Sequence, residues 1–242
     1  MPIPSLPQEM IDHIIDFLHD DSVTLNRCCL VSRSWIKPTR THIFNYVCFT
    51  RDLSQWKKNF PDLANSPAEY TRTLCFLQTE CVTESDLNWI GSFKKVLRLE
   101  AHTQTSGESR EPGSQGFPPF HSLLPAVRSL SVGWKVLRSQ EVLDFICSFS
   151  HLEDLHVTSA GRIDDEDVAI SRSPLLNGTF VLDTITADVA HQLSKLHGGC
   201  RFRRIVQKGG FISMRQFNEM RDLVERCSST LEYIYIVCRT SA

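Results

Sequence analysis

Short apolar runs recur along most of this 242-residue chain, separated by stretches with helical amphipathicity, and that alternation constrains the fold more than any other feature. The runs centre on Leu74, Leu97, Leu130, Leu155, Leu182, Ile205 and Ile234, at intervals of 23 to 33 residues. Helical patterns fill gaps between them at 84–93, 139–149, 187–197 and 214–227. A strand-then-helix unit at such a period predicts stacked supersecondary repeats of the leucine-rich kind. The core pattern L-x-x-L-x-L is matched at Val127, Leu130 and Val132, at Leu152, Leu155 and Val157, and at Leu231, Ile234 and Ile236. Elsewhere it is partial: Ile205 is followed by Gln207 and Leu182 by Thr184. The Asn or Cys that usually turns each repeat is mostly missing. The expectation is an irregular leucine-rich-repeat-like solenoid over 47–242, with a generic α/β domain as the alternative.

Two places interrupt the pattern. The longest interval contains 102–119, HTQTSGESREPGSQGFPP, whose Gly, Ser, Pro and charge predict a flexible surface loop. At the other end, an apolar strand pattern at 234–239 is followed by only three residues. A repeat array needs a cap on its last apolar face. None follows, which predicts either a truncated array or an exposed edge that a partner covers.

Charge and cysteine usage narrow the function classes. With 26 Lys and Arg against 28 Asp and Glu, and no large basic block, the chain lacks the clustered cations that phosphate or anionic-lipid binding requires. No nucleic-acid or membrane partner is expected, and the run Arg201-Phe202-Arg203-Arg204 reads as a solvated strand edge. The N-terminus has no positive n-region or long apolar segment, and no run approaches 18 apolar residues, so a cytoplasmic or nuclear location is expected. Nine cysteines, none spaced C-x-x-C, mostly lie among apolar neighbours and read as core filling in a reducing compartment. No H-E-x-x-H, nucleophile elbow or phosphate-binding glycine loop occurs. His151 and His156 read as solvent-facing strand positions, and the acidic run 164–167 as a solvated loop or helix start. No catalytic residue, metal ligand or cofactor is expected.

The first 46 residues have a different texture. Met10, Ile11, Ile14, Ile15, Phe17 and Leu18 form a broad apolar stripe on a helix from Pro7 to Leu18, with acidic residues toward its N-terminal half. Ser5 and Gln8 match a capping box, and Pro7 fits a first turn. Asp20-Asp21-Ser22 offers an N-cap for a second helix at 23–31, and a third is expected from Trp35 to about Phe44, with Pro38 in its first turn or kinking it. Ile15 and Phe17 are expected to pack the module's own core. Three helices this short cannot bury all their apolar faces against one another, so a partner or the following chain must complete them.

The stretch Leu6-Pro7-x-Glu9, then Ile11, Ile14 and Leu18, then Leu30-Val31-Ser32-Arg33-Ser34-Trp35 resembles the F-box family, with its leading Leu-Pro-x-Glu, Ile/Leu-rich helix and closing Val-Ser-x-x-Trp. Fungal F-box families often resemble the whole layout, with degenerate repeats after the box. The middle departs from the family: polar Asn26-Arg27 follows Leu25 where a longer apolar helix is usual. The resemblance implies an α+β or α/β repeat fold, a three-helix F-box over 1–46 followed by the solenoid. It also implies a non-catalytic subunit that binds a Skp-type adaptor, and through it a cullin, to recruit an unidentified protein substrate for ubiquitination. The adaptor contacts it implies are Leu6, Pro7, Ile11, Ile14, Leu18, Leu30, Val31 and Trp35. An interaction protein that uses the F-box outside any ligase is the alternative.

Overall fold

A computed structural model describes residues 6–50, 53–62, 66–103, 117–134, 139–159, 174, 176–183, 188–196, 199–209 and 214–237. Most of the expected 102–119 loop, the acidic run at 164–167 and Ser5 lie outside these residues. Three helices come first: α1 (Gln8–Phe17), α2 (Ser22–Cys28) and α3 (Arg33–Ile43). Eight strands follow: β1 (Tyr46–Phe49), β2 (Thr73–Phe76), β3 (Arg98–His102), β4 (Ser129–Gly133), β5 (Asp154–Ser159), β6 (Thr179–Leu182), β7 (Arg204–Gln207) and β8 (Tyr233–Ile236). Between them lie α4 (Ser54–Asn59), α5 (Glu84–Ile90), α6 (Phe120–Leu123), α7 (Ser139–Ser148), α8 (Asp188–Ser194) and α9 (Met214–Cys227).

The strands form one sheet in chain order from β1 to β8, and every pairing is parallel. Side chains alternate across a strand, so register decides which residues share a face. Here it aligns Val47, Leu74, Leu99, Leu130, Leu155, Phe180, Ile205 and Ile234 in one row. A second row runs Phe49, Phe76, Ala101, Val132, Val157, Leu182, Gln207 and Ile236 on the same face. Trp89 and Ile90 of α5, Ile146 of α7, Leu193 of α8 and Leu223 of α9 pack on those rows in one continuous core. These helices therefore cover one face. Among the described residues no helix covers the other, which is unusual for a parallel sheet.

Backbone carbonyls do the turning for which the usual Asn or Cys is mostly missing. The carbonyl just before each strand accepts two successive amides from the entrance of the next. Asn45 O takes Arg72 N and Thr73 N, Arg72 O takes Leu97 N and Arg98 N, and Leu97 O takes Arg128 N and Ser129 N. Arg128 O and Arg203 O repeat the arrangement with the strands that follow them. At β6 a side chain replaces half of it: Glu153 O takes Gly178 N, and the Asp154 carboxylate accepts from Thr179 N. Gly178 fits closely there: a Cβ would meet the Asp154 carboxylate, which would have to shift.

The expected three-helix F-box followed by an irregular leucine-rich-repeat-like solenoid is corrected by this architecture. The chain is an α/β fold on a single all-parallel eight-stranded sheet. The sheet starts at Tyr46, directly after α3, and Phe44 in that junction already packs on the sheet's core. Strand β1, a four-residue Tyr-Val-Cys-Phe segment, was not among the expected strands. Leu97 precedes β3 and is exposed; Leu99 is the residue that points inward. In α3, Pro38 lies in the helix interior rather than in the first turn. Its ring removes one helical hydrogen bond, leaving the Ser34 carbonyl to Gln8 Nε2 of α1 at 3.5 Å. Pro7 is the residue that caps α1 rather than part of its first turn.

Candidate functional site

Helix α1 carries two apolar stripes, and the molecule buries only one. Ile11 and Ile15, with Leu18 beyond the helix end, face Leu25 and Cys28 of α2, and Trp35 and Ile43 of α3 pack against this small cluster. Met10, Ile14 and Phe17 have the same spacing displaced by one residue, which rotates them by about 100° away from it. All three are exposed, Phe17 to 87%. Nearby in sequence, the turn between α2 and α3 presents Leu30 at 86% and Val31 at 62% exposure. Val23 and Leu6 are exposed as well. Scattered surface leucines need no explanation, but this many large apolar side chains in one three-helix segment do.

The eight residues singled out from the sequence divide accordingly. Leu6, Pro7, Ile14, Leu30 and Val31 are exposed, Ile11 is buried, and Leu18 and Trp35 are half-buried against the small cluster. Phe17, expected in the module's core, points to solvent instead, while Ile15 is fully buried. Met10, Phe17 and Val23 are the exposed apolar residues that the reading of the family pattern passed over. Dividing α1's apolar residues into two stripes of equal spacing would have found the first two.

Polar contacts hold the helices in this arrangement. Asp16 on α1 meets His42 Nε2 on α3 at 2.8 Å, and Gln8 Nε2 donates to Asp12 Oδ1 at 2.7 Å. Asp21 caps α2, its carboxylate accepting from Thr24 N at 3.0 Å and Thr24 Oγ1 at 2.6 Å, which holds its pKa below the ordinary value. Along the α1–α3 seam runs an open groove of about 630 Å³ lined by Asp12, Asp16, Arg33, Lys37 and His42. Charged residues of both signs stand in its lining beside Gln8, Ser34, Pro38 and Thr41, and none of α1's exposed apolar stripe lies among them.

The open face of the sheet is a second surface with concentrated chemistry. Register lines up Cys48, Cys75, Glu100, Ser131, His156, Val181, Val206 and Tyr235 across all eight strands. On β5 and beyond, His156 Nε2 meets Asp183 Oδ2 at 2.6 Å, and Lys208 Nζ lies 3.1 Å from Asp183 Oδ1. Burial pushes the Asp183 carboxyl up, but bonds to His156 and Lys208 outweigh it and hold the pKa below the usual value.

On β2 and β3, single donor atoms of Cys75, Glu100 and His102 lie within 4.8 Å of one another. Tyr46 OH donates to Glu100 Oε2 at 3.2 Å, and Arg98 Nε lies 3.1 Å from Glu100 Oε1. Burial raises the Cys75 thiol to about 12 and lowers His102, so the one is protonated and the other neutral at pH 7. Sequence reasoning placed His156 on the solvent-facing side of a strand but missed the convergence on β2 and β3. Cys75 and Glu100 are 25 positions apart, and only register makes them neighbours.

Among known proteins, the chain matches no family model, no curated protein and no solved structure.

Proposed function

We propose that the chain is a non-catalytic adaptor whose N-terminal helices dock on a Skp-type adaptor of a cullin ubiquitin ligase, while the sheet domain recruits a protein substrate. The observation that carries this reading is the unburied second stripe of α1, Met10, Ile14 and Phe17, together with exposed Leu30 and Val31. Apolar and aromatic anchors of this kind are the usual energetic centre of a protein interface. Leu6, Pro7, Ile14, Leu30 and Val31 are also positions where the F-box-like pattern implies adaptor contact. Trp35 acts from beneath, setting the α2–α3 turn on the small cluster. The other face of the sheet, which carries Glu100, His156 and Tyr235 in one row, is the surface offered to a substrate. No helix of the described residues is long and apolar enough to cross a membrane, and an adaptor of this class works in the cytoplasm or nucleus.

Co-purification of the chain with a Skp-type adaptor and a cullin tests the reading, beside a Leu30→Asp/Val31→Asp variant. Both positions are solvent-exposed, so the variant should fold with wild-type stability. Recovery of adaptor and cullin with wild type and of neither with the variant is the expected result. Recovery of adaptor without cullin would point to an interaction protein outside any ligase. Failure of a folded wild type to bind the adaptor would sink the proposal.

A further inference from the structure

We propose that Cys75, Glu100 and His102 bind one divalent transition metal of the zinc class on the open face of the sheet, with Cys48 as the fourth donor. The site is independent of the adaptor reading and departs from the expectation that the cysteines only fill the core.

Three features of the fold assemble it. Parallel register sets Cys48 opposite Cys75 and Cys75 opposite Glu100, so three donors lie in one row across β1, β2 and β3. His102 sits two residues beyond Glu100 on β3 and thus shares its face. Among the described residues no helix crosses this face, and the half-buried Cys48, Glu100 and His102 give an approach from solvent above Cys75, the buried floor.

The donor set selects the metal. Sulfur and imidazole exclude Mg²⁺ and Ca²⁺, which take oxygen, and favour zinc or its tetrahedral relatives. Donors of a tetrahedral zinc stand about 3.3–3.8 Å apart, as its bond lengths require. The atoms of Cys75, Glu100 and His102 already lie within 4.8 Å of one another, so side-chain movements of about 1 Å bring these three to ligand spacing, and Cys48, opposite Cys75 on β1, must swing in to complete the shell.

The surrounding groups orient the ligands as metal sites require. Tyr46 OH and Arg98 Nε each hold one carboxylate oxygen of Glu100, and each oxygen keeps a free lone pair. His102 Nδ1 lies 3.4 Å from Thr158 Oγ1, which fixes the ring's orientation. Proton balance is simple: the ion replaces the S–H proton of each ligating cysteine, and that proton leaves to solvent.

The test uses the full chain, reduced and metal-free, titrated with Co²⁺ and then with Zn²⁺. The expected result is one Co²⁺ per chain, with a sulfur-to-cobalt charge-transfer band and the intense visible bands of a tetrahedral ion, both removed by equimolar Zn²⁺. Cys75→Ser and His102→Gln each abolish saturable binding, Cys48→Ser lowers the charge-transfer intensity, and Tyr46→Phe weakens binding about 10–100-fold. X-ray absorption of the wild-type zinc complex needs no variant. It should show sulfur at about 2.3 Å beside nitrogen or oxygen at about 2.0–2.2 Å. No saturable spectrum, an all-oxygen shell, or a wild-type spectrum surviving in Cys75→Ser would overturn the site. An unchanged spectrum in Cys48→Ser would overturn the fourth donor.

Discussion

The sheet buries two full rows of inward side chains from β1 to β7 under six helices, whereas the hydrophobic residues that α1, α2 and α3 bury are Ile11, Ile15, Leu25 and Cys28, with Thr39 of α3 buried as well. The same helices leave Met10, Phe17, Val23, Leu30 and Val31 in solvent. The sheet thus satisfies its own apolar surface and the helical segment does not. On the proposed adaptor reading the exposed helical surface is kept for a partner, since exposure without one costs solubility and contributes nothing to stability. One feature crosses the divide: β8 exposes Ile234 of the inward row together with Tyr233 and Tyr235, so the sheet's last strand is less covered than β1 to β7.

The contrast is sharpest in a pair of leucine truncations. Leu130→Ala, at a fully buried position in the sheet, should cost about 2–5 kcal/mol in urea unfolding. Leu30→Ala should change the same measurement by less than about 0.5 kcal/mol while weakening adaptor binding. Equal destabilisation by the two would break the comparison.

A polar tie inside the sheet region comes next. Asp86 of α5 accepts from Lys57 Nζ of α4 at 2.8 Å and from Thr83 N at 2.9 Å. Burial pushes its carboxyl up, but these bonds prevail and hold the pKa below its ordinary value. A depressed folded pKa gives stability that is present above the unfolded value of about 3.9 and lost as pH falls through the folded one. Asp86→Asn should cost about 1.5–3 kcal/mol at neutral pH and flatten the acid limb of the stability curve. An unchanged acid limb in the variant would show that the tie does not contribute.

Smaller still is the effect at the β5–β6 junction. Gly178→Ala should cost about 1–2 kcal/mol, because the methyl meets the carboxylate that receives Thr179 N. Adding Asp154→Ala should relieve the clash, so a double-mutant cycle shows less than additive loss. Strict additivity would mean the two residues do not touch. Arg203→Ala, whose Nε lies 3.9 Å from Glu232 Oε1 at the surface, should fall within about 0.5 kcal/mol, and a larger loss by thermal melting would contradict it.

Much of the sheet was legible because alternation of strand and helix is written in spacing. Leu74, Leu130, Leu155, Leu182, Ile205 and Ile234 all lie in strands, and 214–227 is helical as expected. How the turns between units are made was not legible, because backbone carbonyls such as Asn45 O and Arg72 O make them, and carbonyls leave no residue signature. Strand β1 was hidden by its brevity, and Leu97 drew attention away from Leu99. The N-terminal helices were readable, but not which of α1's two stripes would be buried. That depends on where α2 and α3 settle, as Phe17 shows. The Cys75, Glu100 and His102 cluster needed register, which no local pattern carries.

A hydrogen-exchange footprint of the whole chain with and without a Skp-type adaptor tests the proposed docking surface. Adaptor should slow exchange across α1 and the α2–α3 turn around Leu30 and Val31, with β2 to β7 unchanged. Protection confined to the sheet, or none at saturating adaptor, would contradict it.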